Sequence, residues 1–95
     1  MYLRIISGQV QPGKADELAA RWKEYFGTRL PNVPGLLHTY FSVDRATDTI
    51  VSVSIWDREP EQARMQPLID DFISQVSNLV SVPPQVAGYE VLAEI

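Results

Sequence analysis

His38 is the residue of this sequence best suited to acid–base chemistry. It is the single histidine of the chain, and histidine is the side chain whose unperturbed pKa lies near neutrality. In a binding site it would act as a base that takes a proton from a phenol or an enol. The alternative is a structural or interface histidine held by hydrogen bonds. If the strand alternates regularly, His38 shares one face with Tyr40, Arg4 and Trp56.

Trp56 ends the β-branched run TIVSVSI and offers a large apolar plane with one hydrogen-bond donor. Such a plane suits stacking on an aromatic substrate, and the alternative is packing at a strand end against a helix or a partner subunit. Tyr40 could donate to a substrate oxygen and Arg4 could hold an enolate or a carboxylate, although either could be purely structural. The predicted catalytic residues are His38 and Trp56, and the predicted substrate-binding residues are Tyr40, Arg4, Ser52 and Ser54.

Composition excludes several other kinds of chemistry. The chain has no cysteine and one histidine, so a cysteine nucleophile is excluded and a metal site is not expected. The five glycines are isolated, which excludes a phosphate-binding loop. Ser52 and Ser54 lack the spacing of a Ser-His-Asp triad. We therefore expect no metal.

The charge balance bears on partners and location. Eight Lys and Arg against twelve Asp and Glu give a formal charge of −4, which would repel a nucleic acid. The segment MYLRIISGQV is too short for a signal peptide, and no apolar run approaches the roughly 18 residues of a membrane span. The absence of cysteine suits a reducing cytoplasm. We expect a soluble cytoplasmic protein that binds neither nucleic acid nor membrane.

Hydrophobic spacing predicts four strands and two helices. The predicted strands are YLRIISGQV (2–10), LLHTYFSVD (36–44), TIVSVSIWD (49–57) and VAGYEVLAEI (86–95), the middle two forming a hairpin. Helix one begins near Ala15, and its apolar stripe, which predicts core packing, is Leu18, Ala19, Trp22, Tyr25 and Phe26. Helix two carries the stripe Met65, Leu68, Ile69, Phe72, Ile73, Val76, Leu79 and Val80.

Several details concern helix two. Asp57 is its predicted N-cap, and Pro67 is predicted to divide it into a short helix near 59–65 and a main helix from about 67. The prolines of VPPQ are predicted to end it. Asp70 and Asp71 are adjacent, so they point to different sides of the helix, and we expect both to be solvated.

The order βαββαβ within 95 residues predicts one domain over 1–95 with an α+β, ferredoxin-like fold, in which a four-stranded antiparallel sheet carries helices on one face. One set of alternating strand residues is almost wholly apolar: Leu3, Ile5, Leu37, Thr39, Phe41, Val43, Val51, Val53, Ile55, Tyr89, Val91 and Ala93. The other set mixes aromatic, aliphatic and polar residues and contains Trp56. Both faces need cover, and two helices cover only one, so we expect a homodimer that packs sheet against sheet.

The chain resembles the antibiotic biosynthesis monooxygenase-like family of dimeric α/β barrels. The resemblance is carried by PGK followed by ADELAARWKEY, by the hairpin GLLHTYFSVDRATDTIVSVSIWD and by REPEQAR. It implies a dimeric α/β barrel in which each subunit has a pocket between its own sheet and helices, with Trp56 at the position of a pocket tryptophan. It disfavours the haem-degrading branch, because Ile6 stands near the position of that branch's asparagine and helix two has no histidine. The His-containing segment of other members is replaced by ARMQPLIDD.

The two lines of reasoning disagree about which face lies beneath the helices. Simple packing places the apolar set there, whereas the resemblance places the tryptophan-bearing set there, around the pocket, and we favour the resemblance. It implies cofactor-independent oxygenation of an aromatic or enolisable small molecule. The alternatives are a non-catalytic small-molecule-binding or stress-response protein, and an isomerase or decarboxylase of a small metabolite.

Overall fold

A computed structural model of the protein describes the backbone of residues 1–95 and every side chain except that of Gln62. Its elements are β1 (Tyr2–Val10), α1 (Ala15–Gly27), a 3-10 turn (Leu30–Asn32), β2 (Leu36–Asp44), β3 (Thr49–Trp56), α2 (Gln62–Gln75) and β4 (Val80–Glu90). The strands form one antiparallel sheet in the order β2-β3-β1-β4. This order and the βαββαβ sequence of elements confirm the predicted ferredoxin-like fold.

Helix α1 forms where its apolar stripe predicts it. Leu18, Tyr25 and Phe26 are buried, because their spacing follows the helical repeat and places them on one face. Gly13 has a φ of 77°, a left-handed conformation that glycine adopts without steric cost, and it turns the chain from β1 into the helix. Asp16 lies in the first turn, where a carboxylate interacts favourably with the helix dipole.

Helix α2 differs from its prediction in three respects. It ends at Gln75, whereas the prediction carries it through Val80 to the prolines of VPPQ, although Val80 already begins β4. The helix runs unbroken with Pro67 inside it, so the predicted division into two helices is wrong. Pro67 is exposed, and the carbonyl one turn earlier, which loses its hydrogen bond, can be hydrated. The N-cap is Glu61 rather than Asp57, because Asp57 still belongs to the hairpin and its N–H donates to the Gly35 carbonyl at 2.9 Å. Within the described residues, neither helix has the length and apolar character needed to span a membrane.

The last strand begins earlier than predicted, at Val80 instead of Val86. Pro83 and Pro84 therefore lie inside β4, which is an edge strand, where a residue without an N–H is tolerated. The pairing of β4 with β1 is irregular at this point. A Cβ atom on Gly8 would lie only 3.1 Å from a carbonyl oxygen of β4, so glycine at this position permits the close approach of the irregular edge.

Strand β2 contains one irregularity that decides which way its side chains face. Leu36 is the register partner of Trp56, whereas His38 is the partner of Ile55. Between these two pairs, β2 takes two steps along the chain and β3 takes only one. The extra residue of β2, Leu37, therefore forms a β-bulge. Because side chains alternate along a strand, every residue of β2 after Leu37 lies on the face opposite to the one that regular alternation predicts.

The helices cover the face of the sheet that carries Trp56. Trp56 is 1% exposed and Ile50 is 7% exposed, and both belong to one core cluster with Leu18 and Phe26 of α1 and Ile69 of α2. The expectation from the family resemblance, in which the tryptophan-bearing set lies beneath the helices, is confirmed. The expectation from simple packing is wrong.

The opposite face, called the open face below, is not covered by any element of this chain that the structure describes. Its central residues are half-buried: Leu3, Ile5, Val51, Val53, Ile55 and Ala87. Tyr40 and Tyr89 flank them with exposures of 55% and 54%. The open face is therefore the more apolar of the two.

Candidate functional site

A cavity of about 80 Å³ lies between the covered face of the sheet and the two helices. Most of the surrounding side chains are aliphatic or aromatic, and the sheet adds Arg4, Ser52, Ser54 and Trp56. A benzene-sized molecule needs a cavity of about 150 Å³. A ligand of that kind must therefore use space beyond the cavity.

That space is available in a groove of about 390 Å³ beside strand β2. Trp22, Phe26 and Leu36 line both the cavity and the groove, so they form the wall between the two. Phe26 is 7% exposed, whereas Trp22 and Leu36 are half-buried. A ligand larger than the cavity would have to displace part of this wall to reach the groove.

Trp56 lies in the wall of the cavity at the end of β3. Its neighbours in register are Tyr2 of β1 and Leu36 of β2. The indole Nε1–H donates to Ser54 Oγ at 2.8 Å, and this bond fixes the plane of the ring. The donor of Trp56 is thus engaged within the protein, and the ring offers a ligand its apolar face.

Ser54 and Ser52 supply hydroxyl groups to the same cavity. A serine hydroxyl can accept while it donates, so the Ser54 oxygen that accepts from Trp56 still has its own hydrogen to donate. Ser52 is the register partner of Ile6 in β1 and of Phe41 in β2. The two serines alternate along β3 with Val51, Val53 and Ile55 of the open face, so both lie on the cavity side of the sheet.

Arg4 brings a charge to this apolar setting. It is 3% exposed and is the one buried charged residue among the described side chains. Burial lowers the pKa of its guanidinium, and the nearby Tyr2 raises that pKa by a smaller amount. Because the ordinary pKa of arginine lies far above neutrality, the group stays charged at physiological pH. Its register partners are Ser54 in β3 and Gly88 in β4.

His38 and Tyr40 lie on the open face, so the prediction that they share a face with Trp56 is wrong. The bulge at Leu37 is the cause. Both side chains are exposed, and their rings stack with centroids 6.2 Å apart at an angle of 16°. His38 lines the groove but not the cavity. Arg4 and Trp56 both line the cavity, whereas His38 and Tyr40 lie outside it.

Thr39 and Phe41 occupy the positions that had been expected for His38 and Tyr40. Thr39 is the partner of Ser54 and Phe41 of Ser52, and both line the cavity. The one sequence signal for this is the doublet of Leu36 and Leu37, which breaks alternation at the start of the strand. A doublet alone does not tell a bulge from a buried pair.

Aromatic side chains close the cavity from the helix side. Trp22 of α1 lies 5.5 Å from Phe41 of β2 between ring centroids, and Phe26 lies 5.1 Å from Phe72 of α2. The predicted core packing of this stripe is confirmed for Tyr25 and Phe26, which are buried. Trp22 packs in this cluster and also lies in the wall between the cavity and the groove.

Tyr25 joins the two helices on their outer side. Its hydroxyl donates to Asp71 Oδ2 at 2.6 Å. Asp71 is exposed, as expected for a solvated carboxylate, and it also accepts this hydrogen bond from α1. This hydrogen bond, with a lesser contribution from desolvation, raises the pKa of Tyr25. The guanidinium of Arg29 lies 3.9 Å from the centre of the Tyr25 ring. The bond holds α1 and α2 together over the cavity.

Among the described side chains, no three potential metal-ligating groups of His, Cys, Asp or Glu cluster together. The described lining of the cavity also contains no histidine and no carboxylate. The polar residues of the lining are Arg4, Thr39 and three serines, Ser7, Ser52 and Ser54. The cavity is thus built to orient an organic molecule by hydrogen bonds and one positive charge.

The profile of the antibiotic biosynthesis monooxygenase family matches residues 1–66. The chain belongs to this family. The matched segment spans β1, α1, the β2–β3 hairpin and the start of α2, so it contains the whole sheet side of the cavity except β4. No protein with a curated description matches the sequence.

Solved structures resemble the whole fold. A monooxygenase of Streptomyces coelicolor, in complex with the ligand nanaomycin D, has a TM-score of 0.79 at 18% identity, with 99% of this chain and 89% of that chain covered. A family member from Nitrosomonas europaea has a TM-score of 0.78 at 14% identity, covering 98% and 100%. A third, from Chloroflexus aurantiacus, has a TM-score of 0.69 at 22% identity, covering 99% and 95%. At these identities the likeness establishes the fold.

Proposed function

We propose that the protein binds a small planar aromatic or enolisable molecule in this cavity and oxygenates it with dioxygen, without metal or flavin. One observation carries the proposal: aromatic and aliphatic walls enclose a space into which Arg4, Ser52 and Ser54 bring polar groups from a single side. Such a lining binds a flat apolar body and orients its oxygen atoms. Membership of the monooxygenase family supports the class of reaction.

The proposed reaction needs a substrate that can lose a proton from carbon. The resulting carbanion reduces dioxygen directly, and a CH₂ group and O₂ become a carbonyl group and water. The substrate supplies all the electrons, so no external reductant takes part. The apolar walls keep bulk water away from the carbanion before oxygen reaches it.

In this proposal Trp56 supplies the plane on which the ligand packs, and His38 is the base. Because His38 is among the residues that line the groove and not the cavity, it can take a proton only from a ligand that reaches past Trp22. Tyr40 lies beside His38 and can donate to a ligand oxygen only from that same side. The role of this pair therefore depends on how far the ligand extends into the groove.

The test is oxygen consumption with a panel of anthrone-like and hydroquinone substrates. We expect turnover by the wild-type protein and at least a tenfold lower kcat for His38→Ala, with Ser42→Ala as a control at an exposed position of the same strand. Equal rates for His38→Ala and wild type would remove His38 from the mechanism. A flavin or haem absorbance in the purified protein would contradict the cofactor-free reaction.

A second candidate function is ligand binding without catalysis. It is favoured by the cavity lining, whose described residues include no histidine or carboxylate that could serve as a base. A thermal-shift screen followed by turnover assays on the stabilising compounds separates the two functions. Stabilisation without oxygen consumption by any bound compound supports binding alone.

We further propose that a second copy of the chain covers the open face. Half-buried aliphatic residues line its centre, and two exposed tyrosines flank them. An apolar patch of this kind costs free energy when it faces water. Sheet-to-sheet packing of two copies would remove it from water while leaving each cavity under its own helices.

A further inference from the structure

We infer that the ligand of the cavity is an organic acid bound in its ionised form, as a phenolate, enolate or carboxylate, with its charged oxygen on Arg4 and Ser54. The inference rests on the proposed function in one respect, namely that the cavity is the ligand site. It goes further by naming the charge state of the ligand and the two side chains that bind its charged oxygen.

The first observation is the sign of the charge in the cavity. Arg4 is the one ionisable side chain that lines it within the described part of the chain, although the protein as a whole has a net charge of −4. A charge in an apolar, water-poor space acts far more strongly on a ligand than the same charge at the surface. The cavity thus favours a negative ligand in a protein that is negative overall.

The second observation is the convergence of two donors. Arg4 and Ser54 are direct register partners on β1 and β3, so their Cβ atoms lie about 4.5–5.5 Å apart on the same face. The bond from Trp56 Nε1 occupies one lone pair of Ser54 Oγ and leaves the hydroxyl hydrogen for an acceptor. A guanidinium has five N–H donors, so Arg4 can hold a ligand oxygen in addition to its contacts within the protein. In the inferred complex both groups donate to one ligand oxygen and together form an oxyanion receptor.

The third observation is what lies on the other side of Arg4. An outer cavity of about 70 Å³ is lined by Arg4, Tyr2 and Glu59 among others, and Glu59 is exposed. Glu59 thus brings a carboxylate to the same outer cavity as Arg4, on the solvent side, where salt and water screen its charge. Its negative charge is expected to oppose the binding of a ligand anion near Arg4 weakly. Removal of that charge is expected to strengthen anion binding.

This receptor changes how the proton of a substrate is removed. A phenol or enol whose oxygen lies against Arg4 has a lower pKa than in water, because the cation favours the ionised form. The proton of the O–H group then leaves to solvent as the ligand binds and needs no side-chain base, whereas the proton on carbon in the proposed reaction is still removed by one. The absence of histidine and carboxylate from the described lining is consistent with this role of Arg4.

The experiment uses 4-nitrophenol, whose absorbance reports its own ionisation, and 4-nitroanisole, a neutral molecule of similar shape. Quenching of tryptophan fluorescence measures occupancy, since Trp22 and Trp56 both line the cavity. We expect wild-type protein to bind nitrophenolate at least tenfold more tightly than neutral nitrophenol, which lowers the pKa of the bound probe by at least one unit. Arg4→Met is expected to abolish the preference, Arg4→Lys to keep part of it and Glu59→Gln to increase it.

Arg21→Met is the matched control, since it removes the same charge from an exposed position of α1 and should leave the preference unchanged. If nitrophenolate and nitroanisole bind wild-type protein equally well, the inference is wrong while the proposed function stands. If neither binds, both are wrong. A preference that survives in folded Arg4→Met would assign the anion to another group, and the wild-type comparison decides the matter even if that variant does not fold.

Discussion

The two faces of this sheet reverse the usual distribution of polar and apolar residues. The covered face holds Arg4, Ser52 and Ser54 beneath two helices, while the open face carries aliphatic residues and two tyrosines without cover. Burial of a charge and of hydroxyl groups costs free energy unless they are satisfied. These polar groups at a buried position support the proposal that the covered face has a functional role, and the apolar residues left open support the proposal that the other face packs against a second copy. Hydrophobicity alone therefore identifies the wrong face as the core.

The largest expected effect of a single substitution is on the covered face. Trp56→Ala should lower the free energy of unfolding by about 3–5 kcal/mol, because it removes a buried indole and leaves a cavity. His38→Ala, on the open face, should change it by less than about 0.5 kcal/mol. Urea denaturation at one fixed protein concentration measures both. Similar losses for the two variants would break the contrast between the faces.

The next effect concerns the open face. Val53 lies at its centre, with Ile5 and Tyr40 as register partners, so Val53→Glu should weaken dimerisation by about 100-fold through the burial of an unpaired charge. Ala20→Glu, at an exposed position of α1, is the matched control. Sedimentation at micromolar concentration measures the distribution of monomer and dimer. A wild-type protein that is wholly monomeric under these conditions would contradict the proposed dimer.

A smaller effect tests how the helix layer is held over the covered face. Tyr25→Phe removes the hydrogen bond to Asp71 and should cost about 1 kcal/mol. Because that bond raises the pKa of Tyr25, its contribution is complete below the ordinary tyrosine pKa of about 10 and is lost as the pH rises through the higher folded value. Ultraviolet titration of wild type and Tyr25→Phe checks this. If a tyrosine with the same raised midpoint still titrates in Tyr25→Phe, the raised pKa belongs to another tyrosine.

The smallest effect concerns the attachment of α1 to the hairpin. Arg45 binds Asp16 through two contacts of 2.8 and 3.1 Å, and this hydrogen-bonded pairing lowers the pKa of Asp16. The contribution is present above the unfolded aspartate pKa of about 3.9 and is lost as the pH falls through the lower folded value. Arg45→Gln should return the pKa of Asp16 toward its ordinary value in an NMR titration. Both groups are largely exposed, so high salt should reduce the difference.

Much of the fold follows from local patterns in the sequence. The prediction places the strands over 2–10 and 36–44 and the first helix within a residue of their observed bounds. Hydrophobic periodicity and the Gly and Pro residues that flank these elements determine where they begin and end. Pro67 and the VPPQ segment mislead, because a proline at a solvated helix position or in an edge strand costs little. The cytoplasmic location and the dimer stay predictions.

The candidate site follows only in part. Arg4, Ser52, Ser54 and Trp56 share the covered face as alternation predicts, because β1 and the relevant stretch of β3 are regular. His38 does not, since the bulge depends on how the hairpin and the preceding loop both meet β3. That is a property of the assembled sheet rather than of the residues near position 37.

The bulge at Leu37 has a consequence for how such a site can diverge. The turn after β2 sets the register of everything from His38 onward, and Leu37 absorbs the mismatch with the chain that enters the strand. A turn shorter by one residue, compensated at the bulge, would bring the imidazole under the helices and send Phe41 outward. Chain length at two points, with no side chain replaced, is thus enough to exchange one chemistry for another in this cavity.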